Sequence, residues 1–186
     1  FIYSPVKHLG YKAIVVNLSD IYAMNGLPGQ ISVSFAASNK ISYELLRELY
    51  SGIELACDKY HVDLVGGDTC ASKQGFFISV SVIGECGYED ITYRSGAGPH
   101  ELICVSGDLG AAYIGLQLLE REKFVFQSNP NVQPQLESYD YILERQLKPE
   151  ARADIVRILK DLKIKPTSMI DISDGLSSEL LHISRQ

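Results

Sequence analysis

No stretch of this chain is apolar for anything near the roughly 20 residues that a membrane-spanning helix needs. No secretory leader is visible either, since Lys7, His8 and Lys12 come early and no cleavage pattern follows. The four cysteines, Cys57, Cys70, Cys86 and Cys104, contain no CxxC pair. Their wide spacing argues against a zinc site or a disulfide framework and for buried or half-buried thiols in a reducing compartment, the cytoplasm. The histidines His8, His61, His100 and His182 show no ligand spacing. A Walker A lysine loop, a kinase glycine loop and a GxSxG elbow are all missing, so any kinase chemistry here must be of another type. Basic residues are in deficit: 17 Lys and Arg against 23 Asp and Glu leave a net charge of -6. That is the wrong sign for a nucleic-acid surface. It does not oppose a nucleotide, because Mg²⁺ can screen carboxylates from phosphates.

What is present is a chain of 186 residues, 46% hydrophobic and 22% charged, a soluble globular composition of one large domain or two small ones. Lys7 to Met24 carries a helical stripe of Leu9, Ala13, Val16, Leu18, Ile21 and Tyr22, stopped by Asn25-Gly26-Leu27-Pro28-Gly29. Ile31 to Phe35 alternates as a strand. Ser42 is placed to cap a helix running to about Lys59, with Leu45, Leu46, Leu49, Ile53 and Ala56 facing a core. Val62 to Val65 reads as a short buried strand and Phe76 to Glu85 as a longer one, apolar on both faces as in a sheet covered on both sides. Cys86 to Pro99 is a Gly-rich polar junction. Beyond it the pattern predicts a strand over 102–105, a helix over 111–122, a mobile loop over 124–139, a helix over 151–162 and a buried strand over 169–172.

Carboxylates recur where apolar runs end. Val65-Gly66-Gly67-Asp68-Thr69 and Ile170-Asp171-Ile172-Ser173-Asp174-Gly175 each follow a short apolar run, and Asn17-Leu18-Ser19-Asp20 lies in the first helix. Four aspartates on three elements suit Mg²⁺, a hard cation that takes oxygen ligands and shares phosphate oxygens. For each there is a plainer reading. Asp68 can serve only a tight β-turn, Asp174 or Ser173 can simply cap the following helix, and Asp20 can face solvent. Asp108, in Ser-Gly-Asp-Leu-Gly, reads as a turn residue. Arg94, in a glycine-containing segment, offers a guanidinium for bidentate phosphate binding or for a surface ion pair.

Together these segments resemble the thiamine-monophosphate kinase family, within the ATP-binding superfamily of aminoimidazole-ribonucleotide synthase and selenophosphate synthetase. The resemblance runs through Lys7 to Ala13, Asn17 to Ile21, Val65 to Thr69, Tyr93 to Ala97, Leu147-Lys148-Pro149 and Ile170 to Leu176. Gly67-Asp68-Thr69 with Asp171-Ile172-Ser173-Asp174-Gly175 favours the thiamine-phosphate kinases over their relatives. The resemblance implies an α/β (α+β) fold of two domains: residues 1–90 for ATP, Mg²⁺ and dimerisation, and 91–186 for the first part of a C-terminal α/β domain. It implies direct in-line transfer of the γ-phosphoryl group of ATP to thiamine monophosphate with several Mg²⁺ ions, in a homodimer without nucleic-acid or membrane partners. Asp20, Asp68, Asp171 and Asp174 would hold metal. Gly67, Asp68, Arg94 and Ser173 would contact ATP, with Tyr50 beside the nucleotide. No side chain would act as acid or base. An acidic loop, a metal segment and a substrate-binding histidine of the family fall before Phe1, and the thiamine-ring contacts fall after Gln186. The 186-residue polypeptide alone is therefore expected to be inactive. Selenophosphate synthesis and a non-catalytic Mg-ATP-binding module are the alternatives.

Overall fold

The computed structural model describes residues 5–73 and 75–186. Two helices over a three-stranded sheet form its ordered heart. Helix α1 (Val6–Ala23) and helix α2 (Tyr43–Tyr60) pack side by side, and strands β1 (Leu27–Ala37), β2 (Asp63–Ala71) and β3 (Phe76–Glu85) lie beneath them in the order β2-β1-β3. β1 pairs parallel with β2 and antiparallel with β3. The parallel pair is joined through α2, as a parallel connection requires.

Local chemistry accounts for the two helices. α1 ends where Asn25 takes a left-handed conformation, φ 61°, and Met24 and Gly26 donate back to Ile21 O. α2 starts at Ser42, whose Oγ accepts from Leu45 N–H at 3.3 Å, and ends at His61, also left-handed. The helices meet at their glycines: a Cβ on Gly10 would lie 2.1 Å from Leu49 O, and one on Gly52 would lie 1.9 Å from Lys7 O. Backbone contact at that crossing closes a core of Tyr11, Ile14, Leu18, Ile31, Val33, Leu49 and Ile53, each 1% exposed or less.

The sheet departs from the sequence-based expectation in three ways. β1 begins at Leu27, so Leu27-Pro28-Gly29 is strand rather than stop; antiparallel pairing of Leu27 with Glu85 and Pro28 with Gly84 overrides the turn chemistry. β2 runs through Gly66-Gly67-Asp68-Thr69 and is exposed along its whole length, not short and buried. It is an edge strand with no neighbour beyond it among the described residues. Finally, helices cover only one face of the sheet. On the open face Phe77 and Ile83 are 64% and 63% exposed.

After β3 no regular element occurs until α3 (Ala111–Ser128), which extends six residues beyond the predicted end and takes up the start of the expected loop. α4 (Asp140–Leu147) has no counterpart in the sequence reading; α5 (Ala153–Leu162) matches it closely, and α6 (Leu176–Ser184) follows the acidic loop. The segments 102–105 and 169–172 are not strands. Strand-forming residues need a ladder partner, and neither segment has one among the described residues; Leu102 and Ile103 are 91% and 69% exposed. Of the cysteines, Cys57 is buried and burial pushes its thiol up to about 11, whereas Cys70, Cys86 and Cys104 are exposed, against the expectation of buried or half-buried thiols; all four are free. Among the described residues no helix is long and apolar enough to cross a membrane.

The second half grips the first. Ala151 N–H donates to Tyr60 Oη at 2.9 Å, Lys12 Nζ donates to Gln146 O at 2.9 Å, and Lys59 pairs with Glu150. Ala151 and Val156 belong to the same apolar cluster as α1 and α2. Tyr60→Phe would leave the Ala151 amide, on a residue only 8% exposed, without its partner. A loss of about 1–3 kcal/mol in denaturant unfolding is expected; a variant as stable as the parent would show that water replaces the hydroxyl.

Candidate functional site

Three segments converge beside the C-terminal end of α1. The segment that follows β3 is tied to that end by Thr92 N–H donating to Met24 O at 3.2 Å and by Asn25 Nδ2 donating to Asp90 O at 3.0 Å. Residues 167–169 then run alongside it: Met169 N–H donates to Tyr93 O at 3.0 Å and Ser168 Oγ to Arg94 O at 2.5 Å. Gly96, at φ 121°, is needed where they touch, because a Cβ there would lie 2.6 Å from Thr167 O. This lacing delivers Arg94 from one segment and Asp171 from the other to Asp20 on the helix.

The electrostatics record their proximity. Burial pushes the Asp171 carboxyl above its ordinary range, the nearby charge of Asp20 pushes it further, and a hydrogen bond from the Ser19 hydroxyl works the other way. Asp20 is solvent-accessible, yet partial desolvation raises it too, against the pull of the Arg94 guanidinium. A carboxylate whose ionisation its neighbour Asp20 opposes, with a hydroxyl at hand, belongs to a donor set of hard oxygens. Such a pair fits a divalent cation, which would relieve the repulsion.

Asp174 and Ser173 are exposed in the loop that leads into α6, and neither caps that helix; Gly175 occupies the cap position with φ 126° and no side-chain bond. Their partner is Glu179, a residue the sequence reading passed over. Its Oε1 accepts from Asp174 N–H at 3.0 Å and from Ser173 Oγ at 3.5 Å. The available signal was a carboxylate in the first turn of the helix after the acidic loop.

Asp68, Gly67 and Tyr50 lie elsewhere. Asp68 stands opposite Ser34 on the open side of the sheet, and its two oxygens accept from Thr69 N–H at 2.8 Å and Cys70 Sγ at 3.2 Å. It lies within a strand, not at a strand end. Gly67 is required by its neighbour, since a Cβ would come 1.9 Å from Val33 O. Tyr50 sits edge-on to Phe35, ring centroids 6.0 Å apart and planes at 72°. Ile21, one residue after Asp20, packs near Gly26 and Gly84 at the other end of β1, where Pro28 pairs with Gly84. Seven residues of strand separate Leu27 from Ser34, about 23 Å at the usual rise. The candidates thus form two groups: Asp20, Arg94, Asp171, Ser173 and Asp174 at one end of the sheet, and Tyr50, Gly67 and Asp68 at the other. Among the described residues no three His, Cys, Asp or Glu side chains gather closely enough to hold a metal ion. Asp108, read as a turn residue, pairs with Arg145 at 3.1 Å.

Residues 1–86 match the family of AIR synthase related protein, N-terminal domain. A curated thiamine-monophosphate kinase of Bacillus subtilis is 36% identical over 182 residues, covering 98% of this chain and 53% of the relative. Among solved structures, AaThiL complexed with AMPPCP and TMP superposes with a TM-score of 0.79 at 29% identity, over 97% of this chain and 53% of that one. The thiamine-monophosphate kinase of Stenotrophomonas maltophilia gives a TM-score of 0.82 at 27% identity, over 100% and 55%. The chain spans about half the length of the curated relatives it matches.

Proposed function

We propose, from the similarity of this chain to the thiamine-monophosphate kinases and from its AIR-synthase-like fold, that its parent protein is a thiamine-phosphate kinase. It transfers the γ-phosphoryl group of ATP directly to thiamine monophosphate in the cytoplasm. The observation that carries the reading within the molecule is the opposed pair Asp20 and Asp171 beside Arg94, laced together from three segments. Residues 1–90 are assigned to the nucleotide-binding and dimer-forming domain and 91–186 to the start of the second.

The chemical problem is to bring two anionic phosphates together in line, so charge neutralisation and alignment dominate. Asp20 and Asp171 would hold Mg²⁺, whose contribution when bound is to neutralise phosphate charge and polarise the transferring group, and Asp174 would serve a further ion. Arg94 would grip phosphate oxygens through its planar fork. Ser173 would contact ATP. A phosphate acceptor is already ionised near neutral pH, so the chain need not supply a strong base.

Asp68, Gly67 and Tyr50 enter the same site through a second copy. β2 is a long exposed edge, the kind of strand that recruits another chain, and the open face carries exposed Phe77 and Ile83. Antiparallel pairing of two β2 edges about a two-fold axis sets the Asp68 end of one copy towards the Asp171 end of the other. Asp68 of the partner subunit would then supply a further metal ligand, and Gly67 and Tyr50 would line the nucleotide.

The test uses the full-length protein with Mg-ATP and thiamine monophosphate, following thiamine diphosphate as its fluorescent oxidation product, with selenide as a competing acceptor. Asp68→Asn and Asp171→Asn should each be nearly inactive. Dissociated and reassembled one to one, they should regain about a quarter of parental activity, because half of the dimers are mixed and each mixed dimer holds one intact site. No product from the unaltered protein would defeat the kinase reading. Product without recovery on mixing would defeat the shared site.

A further inference from the structure

Glu179 is 4% exposed, one of the most buried charged side chains of the described residues. Burying a carboxylate is costly unless it is paired or hydrogen-bonded. The ion pairs among the described residues use Glu150, Glu122, Asp108, Glu144 and Asp154, and none reaches Glu179. Its compensation comes from the loop before it. Oε1 accepts the Asp174 amide and the Ser173 hydroxyl, so one buried oxygen pins two consecutive residues that lie upstream of the helix cap. In a capping box the glutamate reaches back to the amide of the N-cap residue, here Gly175. This one reaches past Gly175, which itself accepts the Glu179 N–H at 3.2 Å. The loop 173–175 is thereby closed into a ring between helix α6 and its own lead-in.

We propose that Glu179 is a positioning residue: buried beneath the acidic loop, it holds the Ser173 hydroxyl and the Asp174 amide, and so sets where the exposed Asp174 carboxylate lies relative to Asp171. The inference rests on the functional reading above, since it concerns the geometry of that metal and nucleotide site. Glu179 itself touches neither. The side chain acts as an acceptor, and its shape and reach matter more than its charge. A glutamine keeps a carbonyl oxygen at the same reach. An aspartate, one methylene shorter, cannot meet both donors from the same helix position.

The experiment compares the full-length protein with Glu179→Gln, Glu179→Asp and Glu179→Ala. Mn²⁺ binding in the presence of ATP is read by electron paramagnetic resonance, beside KM and kcat with Mg-ATP and the circular-dichroism melt. Groups that orient metal ligands typically change affinity 10–100-fold when removed. Glu179→Asp and Glu179→Ala should therefore weaken Mn²⁺–ATP binding about tenfold or more and raise KM for Mg-ATP. At saturation kcat should stay within about threefold, and Glu179→Gln should behave as the parent. If the alanine variant does not fold, the comparison of glutamine with aspartate decides. Parental Mn²⁺ affinity in the aspartate variant would overturn the inference. So would equal loss in the glutamine and aspartate variants, which would make the charge itself the active feature. Failure of the unaltered protein to bind Mn²⁺–ATP would instead sink the functional reading, and this inference with it.

Discussion

Asp171→Asn should lower kcat about 10²–10³-fold, the range found when one preorganised electrostatic group is removed from an active site, and should leave the protein at least as thermostable as its parent. The two halves of this expectation have one cause. Asparagine keeps the size of the side chain and the carbonyl acceptor, so the lacing of residues 167–169 onto 93–94 is undisturbed. What disappears is a charge held against burial and against Asp20. A carboxyl whose folded-state pKa lies above its unfolded value favours folding at low pH, and that advantage fades as pH rises through the folded pKa. The ionised form of Asp171 therefore opposes folding, and an asparagine, which carries no charge, removes the opposition. Activity and stability should move in opposite directions, a pattern common where a site stores electrostatic strain for function. Steady-state kinetics and a thermal melt of the full-length variant check both. A variant that keeps a tenth of parental kcat, or melts several degrees lower, would mean that Asp171 is a structural residue.

Gly52→Ala is expected to unfold the protein more readily by about 2–4 kcal/mol, somewhat above the usual cost of an overpacked core. Helix propensity alone predicts the reverse, because alanine in a helix interior is favoured over glycine by about 1 kcal/mol. The sign of the measured change therefore reports whether the α1–α2 crossing is as close as described. A methyl at Gly52 meets the Lys7 carbonyl at 1.9 Å and the Tyr11 amide at 2.9 Å, all of it backbone of the facing helix. No rotamer change relieves that contact. The helices must part, and Tyr11, Ile14, Leu49 and Ile53 lose their packing together. Urea unfolding gives the number, with Gly66→Ala as the comparison, since a Cβ at Gly66 meets nothing within 4 Å. Equal stability of the two variants would contradict the close crossing.

Much of the helical layer was legible in the sequence because its signals are local. The stripe from Leu9 to Tyr22 and the Ser42 cap each act within a few residues, and both helices appear within one residue of their expected starts. Strands depend on partners far away, and there the sequence misled. Leu27 and Pro28 look like part of a turn until Glu85 and Gly84 are placed beside them. Gly66-Gly67 looks like a loop until the Val33 carbonyl occupies the space that a Cβ would fill. Helix α4 was invisible because it forms by docking on α3, where a Cβ on Gly115 would lie 2.1 Å from Ile142 O. In the site, the aspartates were recognisable as motif members, whereas their division between two ends of the sheet follows from strand register alone. Glu179 is an ordinary helix glutamate by sequence, and its importance exists only once the loop has folded back onto it.

The clasp of Tyr60, Lys12 and Lys59 onto residues 146–151 alters what counts as a unit of the molecule. Position along the chain divides it near residue 90, yet Ala151 and Val156 complete the apolar cluster of the first helices. Cooperativity follows contacts rather than chain order, so amide protons in α1, α2 and α5 should exchange through a shared opening, as one foldon. A polypeptide cut after residue 90 would lack the tail that closes its own core. Recombination between homologues at that junction would have to carry the segment around residues 146–156 along with the helices it covers.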